Sequence, residues 1–211
     1  MPRRKLTLHA AFKKYSIMGI IVIGSIALTI LMLIALLVFI GNRMSNKLSA
    51  NKKKWWLIAH VIFVMAYFAG LLGELVMAVS TTLAHFEEHI YAAHLYILFF
   101  DNVLIIPGGF GCLITGIWLA VRTNWGLVNY YWIIAKWVGN IWAILLGSSM
   151  IGLRIHNTIP QILSLELFPL QNEAYLSNRM MLLVGIAASL VILLFLVVIS
   201  YLKPWGKRTT V

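Results

Sequence analysis

The sequence predicts an all-α, polytopic membrane protein with five transmembrane helices, the last four forming a helix bundle. Three observations carry this expectation. Of the 211 residues, 62% are hydrophobic and 11% charged, whereas soluble chains run at about 45–50% apolar and about 25% charged. Five apolar stretches, at about 17–40, 55–79, 95–121, 131–153 and 181–202, each satisfy the roughly 20 residues that a bilayer core requires. The polar segments between them leave almost nothing for a soluble domain, which takes about 50 residues or more.

The N-terminal segment 1–16, MPRRKLTLHAAFKKYS, is basic like a signal peptide. The apolar run after it is too long, however, and no A-x-A-like site precedes GNRMSNKL. The first span is therefore expected to be an uncleaved helix added to a bundle over 55–202. The single cysteine, Cys112, lies inside the third span, which leaves no disulfide framework, no CxxCH haem attachment site and no cysteine-based zinc site. A net charge of +11 would suggest nucleic acid in a soluble protein. Here Lys and Arg cluster at span ends, where they meet lipid headgroups, so the expected partner is the bilayer and not nucleic acid.

With five spans the connecting segments fall on two sides. Segments 41–54, 122–130 and 203–211 share one side and carry nine basic residues and no acid. The N-terminus, 80–94 and 154–180 share the other, with seven basic residues and all four loop acids, Glu87, Glu88, Glu166 and Glu173. Counting Lys and Arg places the NKKKWW side in the cytoplasm of a bacterial plasma membrane. The long segment 154–180, interrupted by Pro160 and Pro169, reads as an interfacial loop or lid and not a sixth span. Trp55, Trp56, Trp125, Tyr130, Tyr131, Trp132 and Trp205 gather at one membrane edge, as an aromatic belt does.

Ionisable groups at membrane depth are expensive and are functional candidates by default. Four stand out: His60 and Glu74 in the second span, Asp101 in the third and Lys136 in the fourth. Counting from span midpoints at about 1.5 Å per residue puts His60 and Lys136 at one level, nearer NKKKWW, and Glu74 and Asp101 at another, about 20 Å away. The heptad spacing of His60, Tyr67 and Glu74 places them on one helix face, together with Gly70 and Gly73. Lys136, Asn140 and Gly147 form a similar stripe, and the third span carries PGGFG, Thr115 and Gly116. Small residues at these places either let helices approach closely or leave room for a flat cofactor. Imidazole is a common axial haem ligand, so His60 is the candidate iron ligand. Lys136 would bind a propionate, serve as second axial ligand or transfer protons.

The segment WWLIAHVIFVMAYFAGLLGELVMAVS resembles the first conserved helix of the CopD-like and HemJ-type membrane proteins: an aromatic, a histidine, then an aromatic and small-residue run. CLITGIWLAV followed by WGLVNYYWIIAKWVGN is similar to the superfamily's T-G helix, short loop and W-x-x-x-K helix start. The resemblance covers roughly residues 55–147, and within the superfamily it points to a bacterial group of predicted integral membrane proteins. It implies haem b, with a haem-linked histidine and an essential lysine at the positions of His60 and Lys136. Leu75, Val76 and Met77 stand where an Arg-containing segment follows the glycines in the HemJ pattern, so the resemblance does not carry porphyrinogen oxidation across. CopD-like relatives are linked to copper uptake, so the superfamily does not fix one chemistry.

HFEEHIYAAH at 85–94 is the densest titratable stretch. HFEEH fits H-x-x-E-H, with His85 and His89 expected at i, i+4 on one helix face. A catalytic zinc site needs a third protein ligand, and only Glu166 or Glu173 would be free to fold back. A weak outward metal site at His85 and His89 is one expectation and a solvated helix end is the other. His94 lies off that face and nearer the membrane, an alternative haem-side ligand only for a cofactor at the outer level. Three functional readings follow. The first is a haem b protein with a redox role, possessing Lys136, Glu74 and Asp101 as catalytic groups and His60, Tyr67, Gly70, Lys136 and Asn140 as the cofactor site. The second is a non-enzymatic protein of metal, copper-like, uptake or handling. The third is a cofactor-free accessory subunit or lipid-facing scaffold. Besides the bilayer, the expected partner is a second copy of the chain, in a homo-oligomer, or a redox partner.

Overall fold

The helices begin and end where the sequence changes character. The computed structural model describes residues 2–155, Thr158 and residues 168–208, with side chains from Gly19 onward. Helix α1, Pro2–Arg43, joins the basic segment and the first span in one helix. The second span is α2, Ala50–Ser80. The third comprises α3, Glu87–Phe100, a widened π-helical turn, Asp101–Ile105, and α4, Ile106–Arg122. The fourth is α5, Tyr131–Leu146, continued by a π-helical segment, Gly147–Gly152. The fifth is α6, Glu173–Leu202. Five helices are long and apolar enough to cross a membrane, and no strand occurs among the described residues. This is an all-α polytopic protein.

The helices outrun the apolar windows, the third from Glu87 instead of 95 and the fifth from Glu173 instead of 181. Hydropathy registers the hydrocarbon core of about 30 Å, while the helices continue into the headgroup zone. Asn172 opens α6: its Oδ1 accepts from the N–H groups of Ala174 and Tyr175 at 3.0 and 3.1 Å, a side-chain N-cap. The break in the third span follows from Pro107, which has no N–H and whose ring collides with the carbonyl four residues back. The preceding turn widens, and the Ile106 N–H donates to the Asp101 carbonyl, five residues back, as in a π-helix. Within the long loop, residues 156–157 and 159–167, which include Pro160 and Glu166, lie outside the described residues. Pro169–Gln171 forms a single 3-10 turn.

The last four spans enclose a core of Tyr67, Leu71, Ile97, Ile105, Ile151 and Ile186. Helix α1 lies outside it, with Ile30 seated against Leu113, Ile117 and Val121 of α4 and Ile144 of α5. The three basic segments do share one rim. The Leu48 N–H donates to the Arg122 carbonyl at 2.9 Å and the Lys47 ammonium to the Val121 carbonyl at 3.2 Å. The C-terminal tail returns to the 122–130 loop, where the Arg208 N–H reaches the Asn129 carbonyl at 2.8 Å. Arg122, read from sequence as a loop charge, is buried: its guanidinium donates to the carbonyls of Gly41 at 3.0 Å, Met44 at 2.7 Å and Asn46. It thereby satisfies acceptors that the C-terminus of α1 would otherwise leave open.

Helix α2 and the third span run antiparallel in a register set by glycines. A β-carbon added at Gly108 would sit 2.8 Å from the Tyr67 backbone nitrogen, and one at Gly111 would enter the Phe63 ring. Toward the other rim, one at Gly70 would meet Ile105 at 2.6 Å and one at Gly73 the Phe100 ring at 3.0 Å. Small residues allow this close approach. Continued one turn at either end, the register brings His60 opposite Thr115 and Glu74 opposite Asp101.

Candidate functional site

Between α2, α4, α5 and α6, near the basic rim, lies a cavity of about 460 Å³ whose lining includes His60, Lys136, Asn140, Ser200 and Lys203. Its walls are otherwise mainly Leu, Ile, Val and Trp side chains, and its volume is in the range of ligand pockets, about 300–1,000 Å³. Trp132, expected in the aromatic belt, is instead buried and lines this cavity with Trp125, their rings 5.8 Å apart in an edge-on arrangement. Trp55, Tyr131 and Trp205 are exposed, as belt residues are.

His60 is oriented by a hydrogen-bond chain. Its Nδ1 lies 2.7 Å from the Thr115 hydroxyl, and that hydroxyl donates its proton to the Gly111 carbonyl at 2.6 Å. A hydroxyl has one proton to give, so the His60 Nδ1–H must donate and Thr115 accept. His60 also interacts with the backbone of Cys112 and lines the cavity; with Nδ1–H donating to Thr115, the lone pair would sit on Nε2. Gly116 permits this placement, since a β-carbon there would lie 3.4 Å from His60 Cε1.

Lys136 lies within electrostatic range of His60, the same level that helix counting assigned to it. Its ammonium donates to the Ser200 hydroxyl at 2.7 Å and also feels the charge of Lys203. Lys203 caps α6 in the left-handed conformation, φ 48°, which turns the chain at the cavity. Asn140, one turn deeper, donates from Nδ2 to the Gly109 carbonyl at 3.3 Å. Two ammonium groups in an apolar cavity favour an amphipathic anion: apolar body inward, acidic groups at the lysines.

Tyr67 and Gly70 do not line this cavity; both are closed into the interface between α2 and the third span. Glu74 and Asp101 are both buried at the second level, on facing turns of α2 and the third span. HFEEH is corrected by the structure. His85 precedes the helix, which starts at Glu87 after Phe86 as N-cap, so His85 and His89 are not an i, i+4 pair on one face. Two glutamates in the first turn favour the positive end of the helix dipole, which accounts for the start at Glu87. His85, Glu87, Glu88 and His89 are exposed, and the His89 ring packs on Phe86 at 5.5 Å. Among the described residues no group of three His, Cys, Asp or Glu could hold a metal ion. His94 is buried instead of cavity-facing: its Nδ1 is 2.9 Å from the Ile90 carbonyl and its ring 5.7 Å from that of Tyr175. Sequence reasoning missed Thr115 as the partner of His60, although hydroxyl and imidazole on facing spans was an available signal.

No family model, curated protein or solved structure matches the chain.

Proposed function

We propose that this protein binds haem b in the cavity near the basic rim and takes part in redox chemistry in the bacterial plasma membrane. The observation that supports this reading most is the His60–Thr115–Gly111 chain. Histidines that ligate metals donate their other ring N–H to an acceptor, which fixes the tautomer and raises ligand basicity. The cavity lining suits the group: His60 Nε2 would hold the iron, the apolar walls would cover the macrocycle, and Lys136 and Lys203 would neutralise the propionates. Haem bound there would supply one-electron transfer. The chain itself orients the imidazole, excludes water with aromatic and aliphatic side chains, and supplies two cations.

Absorption spectra of detergent-purified protein, expressed with haem supply, test the reading. A Soret band lost in His60→Ala is the expected result. A colourless native preparation, or an unchanged spectrum in His60→Ala, overturns it. Thr115→Val keeps the shape but removes the acceptor of the Nδ1–H, and is expected to weaken haem binding about 10–100-fold, the usual effect of losing such a partner. Haem titration of the purified apoprotein measures this.

A further inference from the structure

We propose that the cavity takes its ligand sideways from the bilayer, through a mouth between α2 and α6, and that this ligand is an amphipathic carboxylate carried in the leaflet on the basic side. That haem is the resident member of this class rests on the reading above; the mouth follows from the cavity walls alone.

Four helices surround the cavity, and three of their four seams are shut. Between α2 and α4, a β-carbon at Gly108 or Gly111 would strike the Tyr67 backbone or the Phe63 ring. The seam between α4 and α5 is covered from outside by α1, through Ile30 on Leu113, Ile117 and Ile144. Between α5 and α6, a β-carbon at Gly139 would stand 2.7 Å from Leu196. The seam between α2 and α6 differs. The two helices are tied at the far end, where Arg179 donates to the Thr81 hydroxyl at 2.8 Å. Near the basic rim, Leu57, Val61 and Val197 line the cavity yet are 45, 47 and 47% exposed. Helix geometry puts all three at this seam. His60 points to Thr115 of α4, and Leu57 and Val61 lie about 60–100° round the helix from it, in the same sense. Leu196 packs on α5, and Val197 is about 100° further round.

The aqueous side is roofed. Trp125 and Leu127 of the 122–130 loop line the cavity there. The Lys53 ammonium lies 4.5 Å from the centre of the Trp125 ring, and Trp137 Nε1 donates to the Leu127 carbonyl at 3.3 Å. The tail holds the same loop, through the Arg208 N–H on the Asn129 carbonyl and a bridge between Tyr130 and Lys207. Entry from water must break these ties, whereas entry from lipid passes only apolar side chains. The charges select the cargo. Lys203 stands at the rim and Lys136, with Ser200, inside, so a carboxylate can stay paired with ammonium groups while its apolar body leaves the hydrocarbon for the apolar walls.

Photolabelling of the haem-free full chain in lipid nanodiscs tests the proposal. The probe is palmitic acid with a mid-chain diazirine, at mildly alkaline pH, where it is ionised. Cys112, Ile133 and Leu193 are buried and line the cavity, so only a probe inside reaches them. Label on these residues is expected in the native protein and in Ile62→Trp, an exposed neighbour outside the cavity lining. It should be lost when Val61→Trp and Val197→Trp are combined, and lowered when Lys136→Gln and Lys203→Gln are combined. Native protein unlabelled at the three residues, label persisting in the tryptophan pair, or equal label from a diazirine phosphatidylcholine would overturn the proposal. The two readings separate cleanly. Cavity labelling in a protein that never shows a Soret band sustains the mouth without haem, and haem uptake from vesicles undiminished in the tryptophan pair removes the mouth and leaves haem.

Discussion

Gly108→Ala is expected to destabilise the protein by about 1–3 kcal/mol, the range for overpacking a close contact. The added methyl would stand 2.8 Å from the Tyr67 nitrogen and 2.9 Å from its α-carbon. Backbone cannot step aside as a flexible side chain does, so the second and third spans must separate. Separation also lengthens the contact between His60 and Thr115, two turns away, so the imidazole is expected to lose its hydroxyl partner together with the loss of stability. Gly109→Ala is the matched control: its β-carbon would meet Ile144 Cγ1 at 3.4 Å, a contact that a small side-chain shift relieves. Thermal unfolding in detergent should separate the two variants clearly. Equal melting temperatures would show that the tight register is not maintained.

The second large effect is expected at Arg122. Arg122→Ala removes three charge-assisted hydrogen bonds to the end of α1 and the following turn, each worth about 1.5–3 kcal/mol when intact. Water at the rim can replace part of this, so a net loss of about 2–4 kcal/mol is expected. The guanidinium also lies 5.9 Å from the Trp118 ring, and that contact goes too. Because α1 touches the bundle mainly through α4 and α5, its release should precede general unfolding. Limited proteolysis at 44–49 should become faster in the variant while the cavity persists. A cleavage rate equal to that of the native protein would contradict this role.

These cases show what a linear sequence conveys about such a protein. Span number, alternation of sides and the two polar levels were legible because hydropathy reports the bilayer slab and a helix rises by a fixed increment per residue. His60 and Lys136 could be placed at one depth by counting alone. The functions of individual glycines were not legible, since Gly70, Gly108 and Gly116 look alike in sequence. Only the facing helix decides that the first two are packed shut and the third makes room for an imidazole. Arg122 was misread because a charge at a span end serves orientation and capping equally well. HFEEH was misread because a five-residue pattern assumes a helix at both ends, whereas the chain bends at His85 and Phe86 before α3 begins.

Helix α2 is a single uninterrupted rod from Ala50 to Ser80, while the third and fourth spans each contain a wide turn. His60 and Glu74 are thus held a fixed distance apart, about 21 Å at the normal helical rise. The second span is a ruler between the cavity level of His60 and the buried level of Glu74 and Asp101. Neither can swing toward the other along α2, whereas the two neighbouring spans depart from regular α-helix at Asp101–Ile105 and Gly147–Gly152, the kind of place where helices bend.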